Sequence, residues 1–296
     1  NMYISNCWVN DLETINLKNQ NNNQGTAGIV GSIANGLIII ENCNVAGVIG
    51  HSGGGIIGMR CFGDITISNC SFTGELHYSS GGIAGSKLGG ADNENQTTDD
   101  NSKIKISNCN ILTTTMWNNA GGIAGAQTGG NSTTANNKNT SIFIEVNNCH
   151  VKVNNELYNR VGGIIGSYSF NKSSINAKLI IRNCISDMYD ARTRNHAFGG
   201  VIGGSSASQG AIEIYNCIIK IKFNVKKTNY SGIIGYNDQA IEAFSETNYV
   251  KLYLIIFSIL IHLIIIITVG LNYTDTIFIL LFYNGLLFFV YGYYFK

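Results

Sequence analysis

No proline occurs in the 296 residues, where average usage would place about 15. Charged side chains are also scarce, 12% of the chain against roughly 25% in an ordinary soluble domain. Together these shortages exclude an ordinary globular surface. Nor does one sign of charge prevail. With 19 basic against 18 acidic side chains the formal charge is +1, too small a field to steer a polyanion, and nucleic acid is excluded as a partner held by bulk electrostatics. Although there are 8 cysteines, no C-x-x-C pair exists. The nearest pair, Cys61 and Cys70, has no histidine at metal-site spacing, so neither a zinc signature nor a thiol-redox signature is present.

Three residue types fill the space: 35 Gly, 39 Asn and 44 Ile. Codon usage in an AT-rich genome would produce the Asn and Ile bias without any structural selection, so position carries the information. Asn-Cys recurs at Asn6-Cys7, Asn42-Cys43, Asn69-Cys70, Asn108-Cys109, Asn148-Cys149, Asn183-Cys184 and Asn216-Cys217. The spacings are 36, 27, 39, 40, 35 and 33 residues, too irregular for a helical array and natural for a coil of fixed core and variable loops. Upstream of most of them runs an alternation typical of a half-buried strand: Ile65-Thr66-Ile67, Ile104-Lys105-Ile106, Ile144-Glu145-Val146 and Ile212-Glu213-Ile214. Between one Asn-Cys and the next lies a glycine-bounded apolar quartet, at Gly28, Gly55, Gly82, Gly122, Gly163, Gly200 and Gly232, as in Gly82-Ile83-Ala84-Gly85.

None of these pieces is long enough to bury its apolar face alone. Stacked one unit per coil they form an all-β parallel β-helix or solenoid of about seven coils over residues 1–236, with right-handed coiling expected. Each strand then pairs with its counterpart one repeat away at about 4.8 Å, and seven coils span roughly 30–35 Å. Ile and Val point inward. Asn turns the corner in the left-handed conformation, which it and Gly tolerate best, and an amide ladder is expected along that corner. The register cysteines turn inward as small buried hydrophobes, because a spacing of about 4.8 Å is too long for adjacent disulfides without distortion. Cys61 lies outside the register and is expected to be the exposed thiol.

The G-[IV]-[IAV]-G quartet, commonly preceded by Gly and paired with an I-x-I-x-N-C strand, resembles the GLUG repeat. That repeat occurs in large secreted and surface-attached proteins, including adhesin-like proteins and the non-catalytic part of some bacterial immunoglobulin A proteases. The resemblance covers about residues 1–236 and implies a stalk or display scaffold. The incomplete first unit suggests that the numbering starts inside a longer protein.

Several motifs invite a catalytic reading. Gly50-His51-Ser52-Gly53-Gly54 fits G-x-S-x-G, and Gly53 to Gly58 fits G-x-G-x-x-G, but both need a helix to follow and Ile56 and Ile57 continue the repeat instead. The one dense polar cluster is Asp187, Asp190, Arg192, Arg194 and His196; its convergence in a groove would suit a carbohydrate-active β-helix enzyme. The acidic loop Asp92, Glu94, Asp99 and Asp100 lacks the glycine and spacing of a calcium loop. Sequons at Asn69, Asn95, Asn131, Asn139, Asn171, Asn229 and Asn272 are no more than chance supplies, and Asn69 is expected in a buried corner that excludes a glycan. No catalytic, cofactor-binding or metal residue is assigned, and no cofactor is expected.

The longest insertions, Ser86 to Lys103 and Ala126 to Ser141, follow the G-I-A-G element, as does a smaller one from Ser167 to Ala177. They are expected to leave from one edge of the stack. After a linker at 237–250, residues 251–296 are almost wholly apolar. Leu252 to Leu271 has membrane-spanning length with no charge, and Ile277 to Phe295 is a second run; a shifted or non-coding chain end of AT-rich sequence would look similar. The reading is a non-enzymatic, membrane-tethered protein facing outward from the cell surface. Its partners would be the membrane and extracellular glycans, matrix or surface proteins, with a pure structural spacer as another alternative.

Overall fold

The computed structural model describes residues 1–13, 25–89, 101–129, 141–170, 177–190, 198–204, 211–223 and 230–235. All belong to the unit Asn1–Ala243. The runs Leu252 to Leu271 and Ile277 to Phe295, with the membrane helix or hairpin expected there, lie outside the described residues. Among the described residues there is no helix, and none therefore that could cross a membrane.

Every repeat supplies one strand to each of two seven-stranded parallel sheets. The first sheet is built from Met2–Ser5, Ile38–Glu41, Asp64–Ser68, Ser102–Ser107, Ile142–Asn147, Ala177–Arg182 and Ala211–Tyr215. The second follows each Asn-Cys: Trp8–Glu13, Asn44–Ile49, Ser71–Leu76, Asn110–Met116, His150–Leu157, Ile185–Asp190 and Ile218–Phe223. Neighbours in both sheets are consecutive repeats, so like residues stand in columns. One such column runs Ile65, Ile104, Ile144, Leu179, Ile212. The period-2 alternation decides which face is buried: Ile104 and Ile106 are fully buried while Lys103 and Lys105, which alternate with them, are exposed. Each buried aliphatic of this size contributes about 1.5–3 kcal/mol.

At the first corner all seven register asparagines, from Asn6 to Asn216, are left-handed, with φ between 50° and 56°. Their backbone N–H groups continue the ladder, as in Asn69 N to Ser107 O at 3.1 Å and Asn108 N to Asn147 O at 3.1 Å. The amide ladder is partial. Asn148 donates to Asn108 at 2.8 Å and Asn216 to Asn183 at 3.4 Å, whereas Asn183 donates to Asn147 instead of Asn148. The main chain, rather than the side chains, keeps this corner continuous. Asn69, expected to be buried, is exposed like the other six; the left-handed turn carries the Asn outward and the following Cys inward.

The third face is narrow. Two-residue strands Val161–Gly162, Phe198–Gly199 and Tyr230–Ser231 form one short sheet, and single bridges extend it, such as Gly54 to Gly81 to Gly121 and Ile57 to Ala84 to Ala124. Here consecutive residues such as Ile56 and Ile57, or Ile83 and Ala84, are all fully buried, a departure from strand alternation. Close approach of main chains explains the glycines. A Cβ on Gly82 would sit 2.5 Å from the Gly122 oxygen of the next coil, and one on Gly85 2.6 Å from the Ser52 oxygen of the coil before.

Candidate functional surfaces

The thiols come first, because seven of them are brought into line by the corner just described. Cys43, Cys70, Cys109, Cys149 and Cys184 are buried, and Cys7 and Cys217 at the two ends are half-buried. Each Sγ donates to the carbonyl two residues earlier, from Cys43 to Glu41 at 3.2 Å to Cys7 to Ser5 at 3.5 Å. None of the eight cysteines is joined in a disulfide. The neighbouring Cys149 thiol and burial push Cys184 up to about 12, which keeps it a neutral thiol with little nucleophilic character.

Cys61, expected to be the exposed thiol, is fully buried. It stands three residues after the last glycine of its quartet, as Ala34 and Leu88 do in the flanking coils, and its Sγ lies 3.4 Å from the Gly58 oxygen. Burial pushes its pKa up to about 11.

Ser52 occupies the second corner, where Ser79, Asn119 and Arg160 of other coils share its left-handed conformation with φ between 58° and 66°. It is therefore a repeat position. Its Oγ nonetheless lies 2.8 Å from His51 Nδ1, a contact the sequence did not reveal. Burial lowers the His51 pKa. Among the described residues no ion pair holds His51, and none of them supplies it with the orienting acid of a hydrolase triad.

Asp187 and Asp190 lie on opposite faces of their strand. Asp187 points outward between Lys152 and Lys220 of adjacent coils, whereas Asp190 is fully buried and accepts the Leu157 N–H at 3.3 Å. Arg192, Arg194 and His196 lie outside the described residues, as do Asp92, Glu94, Asp99 and Asp100. The two described carboxylates do not share a groove. Among the described residues no group of three or more His, Cys, Asp or Glu could hold a metal ion.

Beside the second corner runs an aromatic column. His77 stacks on Trp117 at 5.1 Å and Trp117 on Tyr158 at 4.2 Å, with Tyr78 tilted against Trp117 at 5.6 Å and His51 stacked on Tyr78 at 6.4 Å. The rings cover one another's faces, so they fasten coil to coil rather than offer open platforms to a sugar. The sequence concealed this column because His, Trp and Tyr take the same place in different repeats.

The third corner follows each quartet. Ile33, Arg60, Lys87, Gln127 and Tyr168 are left-handed there, with φ between 56° and 65°. Two residues further on, Gly89, Gly129 and Phe170 are joined to the coils before them, Gly129 N to Leu88 O at 2.8 Å and Phe170 N to Thr128 O at 2.9 Å. The described residues that flank the long insertions therefore stand in one column.

No family model matches the chain, and no curated protein matches it. Among solved structures it is similar to a crystal structure from Bacteroides ovatus provisionally described as an immunoglobulin A1 protease, with 20% identity and a TM-score of 0.43 over 83% of this chain and 78% of that one.

Proposed function

We propose that this chain is a non-enzymatic surface scaffold: a GLUG-like right-handed β-solenoid, tethered to a membrane by Leu252 to Leu271 with or without Ile277 to Phe295, that holds loops outward for contact with glycans, matrix or surface proteins of other cells. The observation that supports it is the shared column of Gly89, Gly129 and Phe170, from which successive insertions leave at intervals of one coil, about 4.8 Å. Solenoids commonly bind through insertions gathered on one face. The opposite orientation of Asp187 and Asp190 supplies no paired acid and base for glycoside chemistry.

The test compares cells carrying the native protein with cells carrying it without residues 90–100 and 130–140. Attachment to a glycan- or matrix-coated surface should fall while the urea midpoint of unfolding stays within about 0.5 M of the parent, since surface loops add little to stability. Protein found only in the cytosolic fraction, or attachment indifferent to both deletions, would refute the reading; indifference would favour a plain structural spacer.

A further inference from the structure

The cysteine column never changes residue type from coil to coil, unlike the inward columns beside it. Two positions on, the inward column of the second sheet holds Val9, Val45, Phe72, Ile111, Val151, Ser186 and Ile219 in turn, so packing here accepts aliphatic, aromatic and hydroxyl side chains. Alanine or valine would serve as a small buried hydrophobe as well as cysteine does. Seven thiols in succession ask for a reason in sulfur chemistry.

Their geometry is uniform. Each Sγ donates to the carbonyl two residues earlier at 3.2 to 3.5 Å, so all seven share one orientation. The backbone is in register at the thiol itself, because the carbonyls of Cys7, Cys43, Cys70, Cys109, Cys149 and Cys184 each accept an N–H from the next coil at 2.8 to 3.0 Å. Equivalent Sγ atoms therefore repeat at the coil spacing, about 4.8 Å. Each interior thiol meets two others: Cys43 lies between Cys7 and Cys70, Cys109 between Cys70 and Cys149, and Cys184 between Cys149 and Cys217.

A metal–thiolate bond is about 2.3 Å long, so a cation holding two sulfurs in line spans about 4.6 Å, close to one coil. Every gap in the column offers two sulfurs, and among the described residues no group of three or more His, Cys, Asp or Glu could hold a metal ion. Tetrahedral zinc needs four ligands, and hard cations seek oxygen. A soft monovalent cation satisfied by two sulfurs in line fits, and soft thiolates select Cu(I).

We propose that the cysteine column is a binding site for Cu(I), with one cation between each pair of consecutive sulfurs from Cys7 to Cys217. Binding is ligand exchange without change of oxidation state. Each Cu(I) displaces one S–H proton to solvent, interior thiolates bridge two cations, and the seventh sulfur keeps its proton and ligates through a lone pair. The core's charge is thus unchanged on loading. Around the sulfurs, fully or almost fully buried Ile40, Ile67 and Ile106 on one side and Val45, Phe72 and Ile111 on the other keep water from the metal. Because five of the seven thiols are buried, the cation enters while the chain folds.

The experiment refolds the full 296-residue chain from urea in a mild non-ionic detergent, without oxygen and with excess Cu(I), then strips loosely held metal with a chelator. Copper per chain is counted by emission spectrometry. The parent should keep about six, one per gap, and regain the circular dichroism of the copper-free fold. X-ray absorption should show two sulfurs per copper at about 2.3 Å and no short copper–copper distance of the kind a compact cluster gives. Cys109→Ala removes the gap on both sides of it and should keep about four, whereas Cys61→Ala, outside the column, should keep about six. Should Cys109→Ala fail to regain the fold, Cys149→Ala carries the same expectation. A loss of one copper in each variant, as independent thiols would give, would overturn the proposal. So would a refolded parent without copper, or copper held only by chains that lack the native circular dichroism.

Discussion

Gly31 and Gly85 close the same quartet in different coils, and alanine at the two positions should have opposite consequences. A Cβ on Gly85 meets the Ser52 oxygen at 2.6 Å, the Met59 nitrogen at 2.8 Å and the Gly58 carbonyl carbon at 2.9 Å. All three are backbone atoms of the preceding coil and cannot rotate aside. The same backbone is tied into the ladder, with Gly85 N bonded to Ile57 O at 2.9 Å and Ser86 N to Ser52 O at 3.0 Å. Forcing the coils apart should cost about 1–3 kcal/mol in overpacking, and a weakened ladder bond about 1 kcal/mol more. At Gly31, in the first of the quartets, a Cβ meets nothing within 4 Å. Alanine there should be neutral or stabilise by up to about 1 kcal/mol through the unfolded chain. With a urea slope of about 1–3 kcal/mol per M, Gly85→Ala should lower the unfolding midpoint by about 1 M or more, and Gly31→Ala should leave it unchanged or raise it slightly. Equal losses at both would refute the reasoning, since the glycines would then serve backbone conformation rather than close approach.

Asn108→Ala should cost about 1–2 kcal/mol, from an alanine held left-handed and from loss of the bond donated by Asn148, while Asn108→Gly should cost less; calorimetric unfolding of both separates conformation from the amide bond. The six buried thiols, Cys43, Cys61, Cys70, Cys109, Cys149 and Cys184, should stay unmodified by iodoacetamide at about pH 8, below the ordinary thiol range, until denaturant is added, as read by mass spectrometry. Because Cys61 and Cys184 have folded-state values raised to about 11 and about 12 above an ordinary value of 9.0, their contribution is fully present below about pH 9 and lost as pH climbs from there towards about 12. Stability should fall over that window, and replacing Cys184 by Ala should flatten the fall. In acid the sign reverses: burial lowers His51 and His77 below 6.5, with Glu75 opposing at His77, so both stabilise the fold above about pH 6.5 and cease to as pH drops through their folded values. Denaturation curves at about pH 7 and about pH 5, on either side of the ordinary histidine value, check this, with His51→Asn expected to reduce the difference.

The repeated letters made the columns legible. Asn-Cys seven times and a glycine quartet seven times, in strict alternation, could form neither a helix nor an isolated sheet, and the left-handed Asn corner follows from what Asn tolerates. Two further left-handed corners were not legible. Their positions hold Ser52, Ser79, Asn119 and Arg160 in one case, and Ile33, Arg60, Lys87, Gln127 and Tyr168 in the other; the backbone ladder imposes the conformation there, so residue type leaves little signature. Cys61 shows the same limit from another side. Aligning Gly58-Met59-Arg60-Cys61 with Gly31-Ser32-Ile33-Ala34 and Gly85-Ser86-Lys87-Leu88 puts it in an inward column, but only once the spacing after the quartet is known to be as constant as the spacing before it. Of the candidate cluster around Asp187, strand parity alone separates Asp187 from Asp190, an odd interval that places them on opposite faces.

The account rests on like residues of successive repeats lying one coil apart, however many residues separate them in the chain. Spin labels can measure this in solution, with one label at Lys220→Cys and the other moved through Leu112→Cys, Thr73→Cys and Ala46→Cys, outward positions of a single column. Pulsed dipolar distances should rise by about 4.8 Å per repeat, from roughly 14 to 19 to 24 Å, despite unequal sequence gaps. Distances that follow the sequence gap, or that show no regular step, would contradict the stack.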